Sequence, residues 1–168
     1  MIQIKLDEYE ILAAGTTALL RITESMRQNI EWGHGYKGTF GDKVAKSLSG
    51  TLAELAVAKC LKVHFNYHVN NFKGADLYFQ NQRVQVRCQV PKENNFLIIR
   101  QDSSANELYV LVIDRCPLFN IIGFVNSSDV IGKTEYLTDF GFSNRPKVYS
   151  VPFFDLIPIE NIFNGKQI

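Results

Sequence analysis

The chain has 168 residues, which is about the size of one domain. Hydrophobic residues make up 46% of it and charged residues 21%, a composition that excludes a mostly disordered protein. Because 18 basic residues are balanced by 17 acidic ones, the net charge is +1. Any affinity for nucleic acid or for a membrane must therefore come from a local patch.

The cysteines and the N-terminus bear on the cellular compartment. Cys60, Cys88 and Cys116 are spaced 28 residues apart and form no CxxC pair, which favours buried free thiols in a reducing compartment. The first residues, MIQIKLDEYE, lack the basic and apolar regions of a signal peptide. No apolar run approaches the roughly 20 residues that cross a bilayer. We therefore expect a cytoplasmic protein that does not enter a membrane.

The first third of the chain has helical periodicity. Apolar residues recur in steps of three and four over residues 6–30, which predicts an amphipathic helix that loosens or breaks near Gly15. A glycine-rich segment with lysines and aromatic residues follows at 32–46 and predicts a loop. A second helix is predicted to begin at Ser47 or Ser49, because either residue could cap it.

Beyond the second helix, short runs rich in β-branched and aromatic residues alternate with turn formers. Helices followed by a meander of about five strands indicate one α/β or α+β domain with a mixed sheet flanked by helices. A short helix and a packed final strand and turn are predicted after the meander. The predicted segments are strands at 63–69, 76–80, 83–90, 95–100, 108–114 and 120–125, the short helix at 127–131, and the final strand and turn at 149–162.

The most informative segment is a predicted hairpin at residues 74–90. Val84 and Val86 alternate with Gln85 and Arg87, so a period of two places the valines in the core and the polar pair together on the other face. The rise along a strand separates Gln85 from Arg87 by about 6.6 Å. This polar face is the strongest candidate for a functional surface.

The partner strand adds an acidic residue to the same face. If Asn81 and Gln82 form the centre of a tight turn, Asp76 lies directly opposite Arg87, with their Cβ atoms about 5 Å apart. One face of the hairpin then displays Asp76, Gln85 and Arg87.

These segments resemble the PD-(D/E)xK nuclease superfamily, which has the restriction-endonuclease-like fold. The matching segments are GTLAE at residues 50–54 on the helix, GAD at 74–76 on the first strand and QVR at 85–87 on the return strand. The resemblance covers about residues 49–125. It implies a single nuclease-like domain over residues 1–168, with an N-terminal helix and loop (1–46), a catalytic-core-like region (47–125) and a C-terminal extension (126–168).

The resemblance implies a metal-dependent endonuclease that hydrolyses DNA phosphodiester bonds, with Glu54, Asp76, Gln85 and Arg87 as catalytic residues. Glu54 and Asp76 would bind Mg²⁺ or Mn²⁺, together with the side chain of Gln85 and the backbone carbonyl of Val86. Magnesium prefers such oxygen ligands, and it would polarise the phosphate and activate a water molecule.

Two residues depart from the family pattern of (Asp/Glu)-x-Lys. Gln85 offers a neutral oxygen where the family has a carboxylate, so it should hold the metal more weakly. Arg87 replaces the lysine; a guanidinium group does not serve as a general base, but it can bind phosphate and stabilise charge in the transition state.

The glycine-rich segment is a candidate surface for DNA. Tyr36, Lys37, Lys43 and Lys46 could contact phosphates through their charges and stack a ring on a base. The segment is equally compatible with a surface loop whose rings fold into the core. A homodimer on duplex DNA is a further option, as for other nucleases of this size.

Two other functions stay open. A nuclease-like fold with a decayed site would serve as a nucleic-acid-binding or assembly module, and Gln85 and Arg87 are the residues that favour it. A protein-interaction domain with no role in nucleic-acid chemistry is favoured by the near-neutral charge. Metal binding that depends on Glu54 and Asp76 is expected for a nuclease and not for a module with a decayed site. A steep loss of DNA affinity with rising salt argues against the protein-interaction domain.

Overall fold

The fold is given by a computed structural model, which describes residues 1–30, 38–69, 74–141 and 146–163. Two long helices come early in the chain, and strands and short 3₁₀ helices make up the rest. In chain order the helices and strands are β1 (Ile2–Lys5), α1 (Glu8–Arg27), α2 (Phe40–Leu61), β2 (Leu77–Phe79), β3 (Gln82–Gln89), β4 (Phe96–Arg100), β5 (Glu107–Arg115), β6 (Leu118–Asn126), β7 (Leu137–Thr138), β8 (Val148–Pro152) and β9 (Ile157–Pro158).

The main sheet is mixed and is covered on both faces. Its strand order is β1-β6-β5-β3-β2, with β9 added against β6; β3 and β5 run parallel and the other pairs antiparallel. Helix α2 packs on one face, and a three-stranded sheet of order β4-β8-β7 packs on the other. This double cover explains why β5 is buried from Glu107 to Ile113 without alternation. The predicted mixed α+β class is confirmed.

Helix α2 begins earlier than predicted. Thr39 caps it by accepting a hydrogen bond from the Asp42 amide, and the Asp42 carboxylate accepts one from the Thr39 amide. The predicted start at Ser47 or Ser49 is therefore wrong, and the predicted loop is wrong over residues 40–46; residues 32–37 lie outside the described part of the chain. Because Gly38 and Gly41 flank Thr39 and are typical of a loop, the sequence there does not indicate a capping box.

Helix α1 passes through Gly15 without a break, which corrects the predicted loosening there. A side chain at this position would come within 3.3 Å of Leu48 on α2. The glycine therefore allows the two helices to pack closely, and the helix does not need it for its backbone conformation.

The hairpin has a different register from the predicted one. The observed pairs are Leu77 with Val84 and Phe79 with Gln82, so the turn is centred on Gln80 and Asn81, which both have positive φ. Continued by one residue, this register places Asp76 opposite Gln85, and the predicted pairing of Asp76 with Arg87 is wrong. The shift is two residues, and so every side chain keeps its predicted face.

Two further segments differ from prediction. Residues 63–69 form no strand, because Lys62 ends α2 in the left-handed conformation and the following carbonyls bind the side chain of Arg21. The helix predicted at 127–131 is a single 3₁₀ turn at Ser127–Asp129. The other predicted strands agree with β2 to β6 within two residues at each end.

The three thiols are free, but they are not all buried as expected. Cys60 is buried, Cys88 is half-buried and Cys116 is exposed. None of the helices in the described part of the chain has the length and apolar character needed to cross a membrane.

Two glycines make a matched test of the packing. In β6, a side chain at Gly123 would lie 2.5 Å from the Ile157 carbonyl oxygen, whereas one at Gly50 in α2 would meet no atom within 4 Å. We expect Gly123→Ala to lower the free energy of unfolding by about 1–3 kcal/mol, because β9 must move. We expect Gly50→Ala to raise it by about 0.5–1 kcal/mol, because alanine favours a helix interior. Urea denaturation measures both, and equal stabilities would contradict this packing of β9 on β6.

Candidate functional site

Glu54 projects from α2 towards α1, where it meets an arginine that the sequence analysis did not single out. Arg21 Nη1 donates a hydrogen bond to Glu54 Oε2 at 2.7 Å, and only 14% of the Glu54 side chain is exposed. The same guanidinium donates to the backbone carbonyls of Asn66 at 2.9 Å and His68 at 3.1 Å. Arg21 therefore joins α1, α2 and the segment after α2 at one point.

Asp76 stands immediately before β2 and is fixed by the backbone of β3. Its Oδ2 accepts a hydrogen bond from the Val86 amide at 2.7 Å, and its own amide donates to the Val84 carbonyl at 3.1 Å. The carboxylate is thereby held against the middle of β3, the strand that carries Gln85 and Arg87.

The structure brings Glu54 and Asp76 together, and their pKa values reflect it. Burial raises the pKa of Glu54 to about 7; the negative charge of Asp76 raises it as well, and Arg21 and Arg87 oppose the shift. Burial also raises the pKa of Asp76, against the lowering effects of the Val86 hydrogen bond and of Arg87. Two carboxyl groups thus share one poorly solvated region, where they compete for ionisation.

Arg87 is the cationic group beside these carboxylates. Its Nη1 donates to the Val86 carbonyl at 3.1 Å, and its guanidinium carbon lies 5.0 Å from the centre of the Tyr109 ring. Stacking on a ring leaves the edge of a guanidinium free to meet an anion. The arrangement can therefore present a positive charge to a phosphate next to the carboxylates.

Gln85 faces a third carboxylate, Glu107 at the start of β5. Gln85 Nε2 lies 3.5 Å from Glu107 Oε1, a long hydrogen bond. Glu107 is only 4% exposed, and it also binds Arg83 Nε at 3.0 Å and the Tyr109 hydroxyl at 3.1 Å. Its charge adds to the upward shift of the Asp76 pKa. The side chain of Gln85 is therefore oriented by Glu107.

The oxygen atoms of this region belong to carboxylate and carbonyl groups, which are the ligand types that a hard cation prefers. Within the described ranges no hydrogen bond reaches Glu54 Oε1 or Asp76 Oδ1, so each carboxylate keeps one oxygen for another partner. The Val86 carbonyl adds a third oxygen. Among the residues that the structure describes, however, no group of three or more His, Cys, Asp or Glu side chains is placed to hold a metal ion. The set that fits Mg²⁺ or Mn²⁺ is therefore two carboxylates and a carbonyl, completed by water or substrate oxygens.

The residues predicted to contact nucleic acid divide into two pairs. Tyr36 and Lys37 lie outside the described residues. Lys43 and Lys46 are on the first turns of α2 and not in a loop. Since Lys43 precedes Glu54 by eleven residues, about three turns, it lies on the same side of α2 roughly 16 Å away.

Arg21 and Glu107 are the residues that the sequence analysis missed, although each leaves a signal. Arg21 falls within the stripe of α1 that is otherwise buried, which contains Ala14, Ala18 and Ile22. A charged residue on a buried stripe needs a partner of opposite charge. Glu107 likewise opens a continuously buried strand, where an unpaired carboxylate would be costly.

Because folding raises the pKa of Glu54, the free energy of unfolding depends on pH, and the direction of the pKa shift determines whether it rises or falls. Between the ordinary pKa of 4.5 and about 7 the folded protein keeps a proton that the unfolded chain has lost. The free energy of unfolding should therefore fall as the pH rises through this window, and Asp76 contributes in the same direction. We expect Glu54→Gln to flatten this slope in urea denaturation without divalent cations. The exposed control Glu93→Gln should keep the slope, and an unchanged slope in Glu54→Gln would refute the assigned burial.

Comparison with protein-family models, with curated proteins and with solved structures finds no match to this chain. The chemistry of the site must therefore be argued from its own residues. Those residues are a pair of largely buried carboxylates, Glu54 and Asp76, with Arg21 and Arg87 near them.

Proposed function

We propose that the protein is a metal-dependent endonuclease of the PD-(D/E)xK superfamily, hydrolysing DNA phosphodiester bonds on a restriction-endonuclease-like fold. The observation that carries the proposal is the proximity of Glu54 and Asp76, close enough for the charge of one to raise the pKa of the other. They come from a helix and from the start of a hairpin, the two places where the resemblance puts its metal-binding carboxylates.

The topology around the site supports the same proposal. Residues 85–87 lie on β3, which is paired with β2 on one side and with β5 on the other; Val86 packs towards helix α2, whereas Gln85 and Arg87 face the opposite side of the sheet. Glu54, Asp76 and the backbone of Val86 thus meet at one edge of a covered mixed sheet. The restriction-endonuclease-like fold has these parts in this chain order.

In this proposal Glu54, Asp76 and the Val86 carbonyl hold Mg²⁺ or Mn²⁺, with Gln85 as a weak ligand or as a residue that positions water. Such an ion supplies charge stabilisation at the phosphate and a water molecule of lowered pKa. Arg21 keeps the Glu54 carboxylate in place through a 2.7 Å bond. Arg87 donates hydrogen bonds to a phosphate oxygen, which it can stabilise as charge develops.

DNA binding in this proposal depends on local charges, because the net charge is only +1. Lys43 lies on the same side of α2 as Glu54, and Lys46 lies one turn further along. Contacts to the phosphates on either side of the cleaved bond are the expected role of such lysines. Tyr36 and Lys37 are proposed to act with them.

A second function is favoured by one specific observation. Arg21 already occupies Glu54 Oε2 and Arg87 already occupies the Val86 carbonyl, so two of the proposed ligands have cationic partners. A site neutralised in this way could bind a nucleic-acid phosphate without a metal. The alternative is therefore a catalytically inactive, nuclease-like module that binds nucleic acid or assembles with another protein.

Asp76→Asn separates these functions. The amide oxygen of asparagine can still accept the hydrogen bond from Val86, so the fold should persist while one charged ligand is lost. We expect Mg²⁺-dependent cleavage of plasmid and oligonucleotide DNA to fall at least about 100-fold, as for loss of a group that acts in the transition state. Asp102→Asn, which alters an exposed carboxylate, should cleave like the unsubstituted protein.

Full cleavage by Asp76→Asn would remove this residue from the mechanism. Absence of both cleavage and Mn²⁺ binding in the unsubstituted protein, with DNA binding retained, would favour the inactive module.

Gln85→Glu restores the acidic residue of the family pattern. The new carboxylate would lie next to Glu107, where the contact is 3.5 Å, and a divalent cation would relieve the repulsion. We expect calorimetry to show Mn²⁺ affinity at least about tenfold higher than in the unsubstituted protein. Gln89→Glu, on the same strand but away from Asp76, is the matched control and should leave the affinity unchanged. An equal affinity for Gln85→Glu would place residue 85 outside the metal site.

A further inference from the structure

We infer that the solvent-facing side of α1 is an interface for a second copy of this chain, in which the two α1 helices pair antiparallel about a two-fold axis. This inference does not depend on the proposed nuclease activity. It follows from the residues on that side of the helix, from their spacing and from the charges at the helix ends.

Helix α1 has an apolar stripe on each of two opposite sides. The inner stripe, with Ala14, Ala18 and Ile22, is buried. The outer stripe lies directly opposite and faces solvent, although its large side chains are apolar and more than half exposed. It consists of Tyr9 (82% exposed), Leu12 (67%), Thr16, Leu19 (51%), Thr23 and Met26 (55%).

The outer stripe lacks the charged residues that a solvent-facing helix normally carries. Between Glu10 and Arg21 the sequence reads ILAAGTTALL, without a charge over nearly three turns. Leu20, beside the stripe, is also 51% exposed. An uncharged strip of this length on a surface, with large apolar side chains along it, marks an interaction site.

The polar members of the outer stripe are prepared for burial. The Thr16 hydroxyl donates to the Leu12 carbonyl at 2.8 Å, and the Thr23 hydroxyl donates to the Leu19 carbonyl at 2.9 Å. Because both hydroxyls are satisfied within the helix, a partner that covers them leaves no polar group without a hydrogen bond. Both threonines can therefore lie inside an apolar contact.

The spacing of the outer stripe is that of a seam between two helices. Its members follow one another in steps of three, four, three, four and three residues, the heptad pattern of paired helices. Six such positions cover the helix from its first turn to its last. The expected partner is therefore another helix of about the same length, about 30 Å for 20 residues.

The stripe is complementary to itself when two copies run antiparallel. In that alignment the paired positions sum to 35, which places Tyr9 opposite Met26, Leu12 opposite Thr23 and Thr16 opposite Leu19 of the second copy. Leucines meet threonines in the inner layers, and a sulfur meets an aromatic ring in the outer ones. Large side chains thus pack against smaller or flexible ones in every layer.

The helix ends favour the antiparallel arrangement over the parallel one. The first turn of α1 is acidic, with Glu8 near the outer stripe, and Arg27 is basic in the last turn. A parallel pair would bring the two Glu8 carboxylates together, whereas an antiparallel pair brings each acidic end to a basic one. Opposed helix dipoles favour the same arrangement.

A membrane surface fits the outer stripe less well than a second copy. Helices that lie in a bilayer interface carry lysine and arginine on their polar side. The cations of α1 are Arg21, which is bound to Glu54 on the inner side, and Arg27 in the last turn, which are too few to form such a cationic side. Binding to lipid is therefore an outcome that the test must exclude.

Sedimentation analysis of the whole chain up to about 100 µM tests the inference, because a single helix pair buries less than a standard interface and should associate in the micromolar range. We expect a dimer for the unsubstituted protein and monomers for Leu12→Lys and for Thr23→Glu. Both changes are on the exposed side, and circular dichroism should show that they stay folded. Phe154→Lys, which alters an exposed ring outside α1, should remain a dimer.

The double variant Leu12→Lys with Thr23→Glu tests the register. Antiparallel pairing places each new lysine opposite a new glutamate, so dimerisation should return at least in part. Parallel pairing places like charges together and gives no recovery. A monomeric unsubstituted protein, a dimeric Leu12→Lys variant, or a double variant that stays monomeric would each overturn the inference. So would an unsubstituted protein that is monomeric but binds anionic lipid vesicles.

Discussion

The position of two carboxylates out of water constrains the rest of this structure. Burial disfavours the charged forms of Glu54 and Asp76, repulsion from Asp76 adds to this at Glu54 and repulsion from Glu107 adds to it at Asp76, and each carboxylate is compensated by a different part of the chain. Arg21 of α1 supplies the cation for Glu54, and the backbone amide of Val86 supplies the hydrogen bond for Asp76. Since a charge left unpaired there would be costly, α1, α2 and β3 are fixed relative to one another by this region as well as by apolar packing.

The region contains three carboxyl groups and three guanidinium groups, so before any ligand arrives its charge is positive while Glu54 keeps its proton and balanced once all three carboxyl groups are ionised. The carboxylates are Glu54, Asp76 and Glu107, and the guanidinium groups are Arg21, Arg83 and Arg87. Such a balance weakens the attraction for a free divalent cation and strengthens that for a phosphate. A cation and a phosphate that arrive together leave the balance closer to neutral than either does alone. In the proposed function, metal and DNA should therefore bind cooperatively, each favouring the other.

The sequence was sufficient to predict which side chains share a face of the sheet, because that depends only on the alternation of side chains along a strand. The faces of Asp76, Gln85 and Arg87 survive a hairpin register that was wrong by two residues, because such a shift leaves every side chain on its own side of the sheet. The directly opposed partner was not predictable, since it depends on which two residues adopt positive φ in the turn. Arg21 was missed for another reason: its contact with Glu54 joins residues 33 positions apart, and helical periodicity carries no information on which helix lies beside it.

Helix α1 contributes to the proposed site on one side and to the proposed dimer interface on the opposite side. Its inner side holds Arg21 against Glu54, and its outer stripe lies on the opposite side of the same cylinder. With a helix about 10 Å across, two α1 helices in contact would separate the two sites by at least the width of both, about 20 Å. Neither copy could then lend a side chain to the other's site. Each site must be complete within its own chain, so loss of dimerisation should leave the chemistry at Glu54 and Asp76 intact and change only how two sites are presented to one ligand.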